Sequence, residues 1–227
     1  MERQVAYNLG TTVTRVQQRI RDTGYSSAEI KSYINDTQND VFNEYRLPFM
    51  QAVQAYTLTA NVSDITNGTG LPTTYVQAMD ITLTSSGREK VLTFMDTQTV
   101  DAMYPDPDDT TRHPANVPSI WYNYADTIKV YPVPNSAFTL SLRYYKTPTE
   151  LSADADVPEI PSEFQELLIM GAAYRVMQVK DNYDQAAILQ NKYDEILQKL
   201  VLKYSQPQVG TPARMRINRY GLGKTSF

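Results

Sequence analysis

The chain has 227 residues, 41% of them hydrophobic and 20% charged, which is enough to bury a core in one domain or two small ones. It has no cysteine and a single histidine, His113, so disulfide frameworks, thiolate metal sites, cysteine nucleophiles and multi-histidine metal sites are excluded. Charge is unevenly placed: residues 205–227 carry +4 through Arg214, Arg216, Arg219 and Lys224 with no acid, and the remainder is at −8.

The first helix is expected from about Thr12 to Asp22, where Val13, Val16 and Ile20 recur at helical spacing and Gly24 follows. A second opens at Ser26, where Ser26 and Glu29 fit a capping box, and continues through Ile30, Tyr33, Ile34, Thr37, Val41 and Tyr45 until Pro48 stops it. The two read as a helical hairpin. From about Phe49 to Pro148 the period changes to two, with strands expected at Tyr56–Leu58, Val76–Thr84 and Val91–Phe94. Long polar loops, 61–74 and 105–118, interrupt them, and loops of that length usually carry a function or a contact. A hairpin follows, Ser119–Tyr124 with Thr127–Val133 around Ala125-Asp126. A long strand from Ala137 to Lys146 then places Phe138, Leu140, Leu142 and Tyr144 on one face.

Helix returns after Pro161. Ser162 and Gln165 suggest a second capping box for a helix through about Gln178, striped by Phe164, Leu167, Leu168 and Ala172. A last helix, Asn182–Tyr204, carries Ala186, Leu189, Tyr193, Ile196, Leu197, Leu200 and Tyr204 at 3 and 4 spacing. The fold class is therefore α+β: a helical bundle of N- and C-terminal helices, an inserted antiparallel β-rich domain and an extended C-terminal arm. Its expected divisions are 1–48 (helical hairpin), 49–150 (β-rich insertion), 151–204 (helical pair completing the bundle) and 205–227 (basic arm, expected to order on binding). The apolar run around Gly171 is far shorter than the roughly 20 residues that span a bilayer, and MERQVAYNLG lacks a signal-peptide pattern, so a soluble protein is expected.

Candidate chemistry is sparse. GLGKTSF resembles half of a phosphate-binding loop, but Asn218 stands where the first glycine is needed. Asp106, Asp108 and Asp109 lack a calcium-loop pattern and read as a solvated loop. Asp154, Asp156 and Glu159 read as favourable charge near the N-terminus of the third helix rather than as paired catalytic carboxylates. His113, in a proline-rich loop, has no evident acidic partner. No catalytic, cofactor or metal residue is assigned. The 17 tyrosines, against one tryptophan, suit half-buried strands as well as protein interfaces.

Several segments together resemble the head-to-tail adaptor, connector or tubular gatekeeper proteins of tailed bacteriophages: IRDTGYSSAEIKSYIN (Ile20 to Asn35), Tyr45-Arg46-Leu47-Pro48, WYNYADTIKVYPVP (Trp121 to Pro134), YYKTPTEL (Tyr144 to Leu151) and IPSEFQELLIMGAAYR (Ile160 to Arg175). The resemblance implies a non-catalytic structural virion protein at the head-tail junction, made in the host cytoplasm. It further implies a homo-oligomeric ring of twelve copies under the portal protein, joined below to tail or nozzle proteins. Double-stranded DNA would pass through the ring during packaging and ejection without sequence-specific binding, and no membrane is involved. Arg214, Arg216, Arg219, Tyr220 and Lys224 are placed on the arm that docks on the portal. The alternative from another class is a host-receptor or carbohydrate-binding tail protein, weakened by the lone Trp121 because aromatic sugar platforms usually enrich tryptophan.

Overall fold

The computed structural model describes residues 6–85 and 87–205, and the arm residues Arg214, Arg216, Arg219, Tyr220 and Lys224 lie outside them. Helix α1 (Leu9–Ile20) starts ahead of Thr12 because Asn8 caps it, its side chain accepting from the Thr11 amide at 2.8 Å. The free amides of Leu9 and Gly10 donate to the backbone carbonyls of Asp156 (2.8 Å) and Asp154 (3.0 Å). The acidic segment expected to serve the third helix thus closes the start of the first one. Helix α2 (Ser27–Glu44) begins as expected, with Ser26 accepting from the Glu29 amide at 3.4 Å, and ends at Tyr45.

The chain then builds two sheets. The first joins β1 (Gln51–Leu58), β2 (Tyr75–Ser85), β3 (Arg88–Val91) and β7 (Phe138–Lys146) in the order β1-β7-β2-β3, all antiparallel. The second joins β4 (Thr93–Phe94), β5 (Ile120–Tyr124) and β6 (Thr127–Tyr131). Phe138, Leu140, Leu142 and Tyr144 of β7 are buried, as their alternation predicts. With Leu58, Ile81 and Leu83 they pack against Trp121, Ile128 and Val130 of the second sheet, so the two sheets share one core.

Four details of this region differ from the sequence reading. The strand expected at Val91–Phe94 is two strands: at buried Leu92 the chain passes from the first sheet to the second, its amide bonding the Ile81 carbonyl at 2.8 Å. β4 then pairs parallel with β5, so the region is not wholly antiparallel. Helix α3 (Thr97–Met103) escapes the sequence because only Val100 is buried on it, too few positions to establish a period. The 61–74 loop is partly structural: Ser63 accepts from the Val130 amide (2.9 Å) and Ile65, fully buried, donates to the Ile128 carbonyl (3.1 Å), extending the edge of β6.

Helices α4 (Glu166–Val179) and α5 (Tyr183–Ser205) complete the second core, packed with α1 and α2. α4 touches α1, α2 and α5, which is why every residue from Leu167 to Ala173 is buried and the apolar run there is continuous rather than striped. At Gly171 a Cβ would lie 2.3 Å from Cγ2 of buried Thr37, so α2 and α4 approach more closely than a larger side chain allows. The second capping box does not form. Ser162–Phe164 is a single 3-10 turn, and the buried Gln165 side chain instead accepts from the Tyr7 amide at 2.6 Å and donates to the Ile160 carbonyl at 3.4 Å. Tyr7, Tyr25, Tyr33, Tyr45, Tyr145, Tyr174 and Tyr204 ring the helical core half-buried, a use of tyrosine that needs no partner.

Candidate interaction surfaces

The acidic residues singled out in the sequence are tied into local structure. Asp108 accepts from the Ser63 hydroxyl (2.6 Å) and pairs with Lys129 (2.5 Å), while Asp106 (3.0 Å) and Asp109 (3.5 Å) pair with Arg112. Burial would raise the Asp108 carboxyl, but the hydrogen bonds from Lys129 and Ser63 outweigh it and hold the group below the usual carboxylate range. This loop is more ordered than a freely solvated one. His113 donates from Nε2 to the Pro105 carbonyl (2.9 Å) and lies edge-on to Tyr104 and Tyr131, which makes it a loop clasp.

Asp154 pairs with Lys31 at 2.7 Å, and Asp156 accepts from the amides of Ser152 and Ala153, both at 2.8 Å. Those two amides lower the Asp156 carboxyl. Glu159 pairs with Lys146 (2.6 Å) and accepts from the Thr149 amide (3.1 Å) and hydroxyl (2.9 Å). Burial pushes its carboxyl up, and the bonds from Lys146 and Thr149 bring it below its ordinary value. Each of these carboxylates serves a turn, an ion pair or a joint between the β region and the helices, and Asp106 and Asp108, which line one cleft with Asp101, are both held in ion pairs.

Two surfaces stand out among the described residues. The first is a polar groove of about 460 Å³ on α1, lined by Tyr7, Arg15, Gln18, Arg19, Arg21 and Glu166. Arg15 lies over the Tyr7 ring at 3.9 Å and Arg19 pairs with Glu166 at 3.2 Å, so the groove is basic on an otherwise acidic body. The i, i+4 spacing of Arg15 and Arg19 could have marked it in the sequence.

The second is the outer edge of β1. Among the described residues no strand pairs with β1 on the side away from β7. The end of α5 lies beside its start: the Tyr204 ring is 5.4 Å from Phe49 and 6.2 Å from Phe164, and Glu163 holds both Lys203 and the Tyr204 hydroxyl (3.1 Å). Helix α5 therefore ends beside the root of the open sheet edge.

The four-helix core, the paired sheets, the carboxylates committed to turns and ion pairs, and a surface offering an open strand edge together describe an assembly component. The sequence matches the family described as SU10 adaptor protein over residues 7–216, which takes in every helix and strand above, and the chain belongs to that family. It is a phage structural adaptor protein, and association with other phage head and tail proteins, within the virion, is what the family implies. No curated protein matches the sequence. Among the described residues no helix is long and apolar enough to cross a membrane.

Proposed function

We propose that the protein is the head-to-tail adaptor of its phage: twelve copies form a ring under the portal, complete the head, join the tail or nozzle below, and let double-stranded DNA pass without sequence-specific contact. The role is structural and non-catalytic. The family match over residues 7–216 carries the reading, since it spans the helices, the β region and the first part of the arm together. The working division of the chain is 1–48, 49–150, 151–204 and 205–227, with the last segment as the portal-docking arm.

The charge split supports the arm assignment. Arg214, Arg216, Arg219 and Lys224, with Tyr220 among them, concentrate +4 on residues 205–227 against −8 elsewhere, so the arm is repelled least from an acidic groove on a partner. An acidic body also disfavours adhesion of DNA phosphates, which suits passage rather than binding.

The test is cryo-electron microscopy of the full chain mixed with the purified portal of its own phage. A ring of copies beneath the portal with residues 205–227 following its surface is the expected result. Portal particles without added density would overturn the reading. Deletion of 205–227 is expected to weaken docking, with the difference from the full chain widening as salt is lowered.

A further inference from the structure

A cleft of about 450 Å³, the size of a small-ligand pocket, opens on the outer face of the second sheet between α3 and the 105–118 loop. Alternation puts Tyr122 and Tyr124 of β5 on this face, opposite Trp121 in the sheet core, and Lys129 of β6 is the register partner of Tyr122. Asp101 enters from the last turn of α3, and Asp106 and Asp108 enter from the loop.

One cation is already held here. Lys129 Nζ lies 4.6 Å from the centre of the Tyr124 ring and 2.5 Å from the Asp108 carboxylate, so an aromatic face and an acid share it. Asp106 is held by Arg112. No ion pair among the described residues engages Asp101, and the last turn of a helix, where carbonyls already concentrate negative charge, disfavours an acid. Asp101 is therefore an acid in a costly place without a counter-charge.

Tyr122 is the second unused group. It is 1% exposed, packed with Val100 and Tyr131, and no described residue hydrogen-bonds its hydroxyl. Such an unpartnered group at depth is costly and rare. The hydroxyl is aimed into the cleft, because after burial itself the influences that push its pKa up are the charges of Asp108, Asp101 and Tyr124, all cleft residues. It stays neutral and is free to accept a hydrogen bond.

We propose that this cleft is the recognition site for an arginine side chain presented by another head or tail protein of the phage. The guanidinium pairs with Asp101, donates to the Tyr122 hydroxyl oxygen and lies along the Tyr124 ring, 52% exposed, with Pro105 and Pro107 as an apolar wall. Arginine fits better than lysine, because one planar fork serves an acid and a hydroxyl at once and its weak hydration suits walls of tyrosine and proline. A metal ion fits worse: Lys129 and Arg112 already hold Asp108 and Asp106, and among the described residues no three acids are placed to ligate one. The identity of the partner rests on the adaptor reading; the arginine chemistry of the cleft does not.

The probe is Nα-acetyl-arginine N-methylamide, titrated into the full chain while the tyrosine ring resonances are followed by NMR. Expected is saturable binding that shifts the Tyr122 and Tyr124 signals and is at least tenfold weaker for the neutral isostere, Nα-acetyl-citrulline N-methylamide. Asp101→Asn, at an exposed position, and Tyr122→Phe, which keeps the ring, are each expected to weaken binding at least fivefold. No saturable binding, equal binding of the citrulline compound, or binding indifferent to Asp101→Asn overturns the site. The source of the arginine is tested in virions, with photo-reactive p-benzoylphenylalanine replacing Tyr124 or, separately, the exposed Met103 at the end of α3. Incorporation of the chain is scored first, and cross-linked peptides are then sequenced. A peptide of another virion protein with an arginine within a few residues of the link is expected. Cross-links to a second copy of this chain, or none in particles that contain it, overturn the assignment to another protein. Failure to incorporate counts against the adaptor reading, and the titration then decides the site alone.

Discussion

Helix α4 and strand β1 differ sharply in how far they are enclosed. α4 has neighbours in α1, α2 and α5 and a continuous buried run from Leu167 to Ala173, whereas β1 has β7 on one side and an open edge on the other. Hydrophobic burial accounts for the first, since each enclosed side chain loses its water and the cost of ordering the helix is offset by packing on several sides. The second leaves alternate backbone amides and carbonyls satisfied only by solvent or by nearby side chains such as Gln54 and Asn67. The difference separates the part of the subunit that keeps its shape from the part able to make a new contact.

The contrast can be broken first at the sheets. Leu140→Ala, at a fully buried position shared by both sheets, is expected to cost about 3 kcal/mol, read as a lowered urea midpoint. If hydrogen exchange in that variant speeds up across the β region while α4 amides stay slow, the two cores open separately; a uniform change would make them one cooperative unit.

At the enclosed helix, Gly171→Ala places a methyl group 2.3 Å from Thr37 Cγ2. The expected loss is about 2 kcal/mol, larger than the gain in helix propensity, and much of it should return when Thr37→Ala is added. Additive effects of the two substitutions would show that α2 and α4 separate freely.

The link between the two regions is sensitive to acid. Glu159, which joins Lys146 at the end of β7 to Thr149, has a carboxyl lowered in the folded state, so its contribution is present above the ordinary glutamate range and is lost as pH falls through its folded value. Melting temperature should therefore drop between pH 5 and 3 by more in the wild-type chain than in Glu159→Gln. The effect amounts to about 1 kcal/mol or less, because the pair is partly solvated. A parallel drop in both chains would remove Glu159 from the account.

The smallest expected change in stability is at the open edge. Val53→Lys should alter the urea midpoint by no more than about 0.5 kcal/mol, since the side chain is exposed. A large loss of stability instead would mean that Val53 is already covered in the free subunit.

Much of the enclosed half was legible in the sequence. The Ser26 cap, the α5 stripe, the Ala125-Asp126 turn and the buried face of β7 all depend on residues a few positions apart, where spacing alone carries the signal. The failures are non-local. Gln165 has the spacing of a capping residue, yet Tyr7 and Ile160 claim its side chain. Asp154 and Asp156 precede α4 in sequence but support α1, through contacts that only the closed bundle creates. For the surfaces, the uncharged stretch around β1 was visible, but its position at an edge follows from pairing with distant β7. The residues assigned to portal docking, Arg214, Arg216, Arg219, Tyr220 and Lys224, came from charge and resemblance and lie outside the described residues.

The way the chain enters and leaves the sheets has a bearing on how such a molecule diversifies. Gln51, at the entrance of β1, is the register partner of Tyr145, near the exit of β7, and Arg46 lies 6.0 Å from the Tyr145 ring just outside that junction. The whole β region is thus an excursion whose two ends are adjacent on the helical scaffold. A cassette with neighbouring ends can be lengthened, shortened or exchanged by recombination without altering the spacing between α2 and α4. One helical frame can in this way carry sheet modules of different size, and an engineer could replace residues 51–145 with a short turn to ask how small a scaffold still folds.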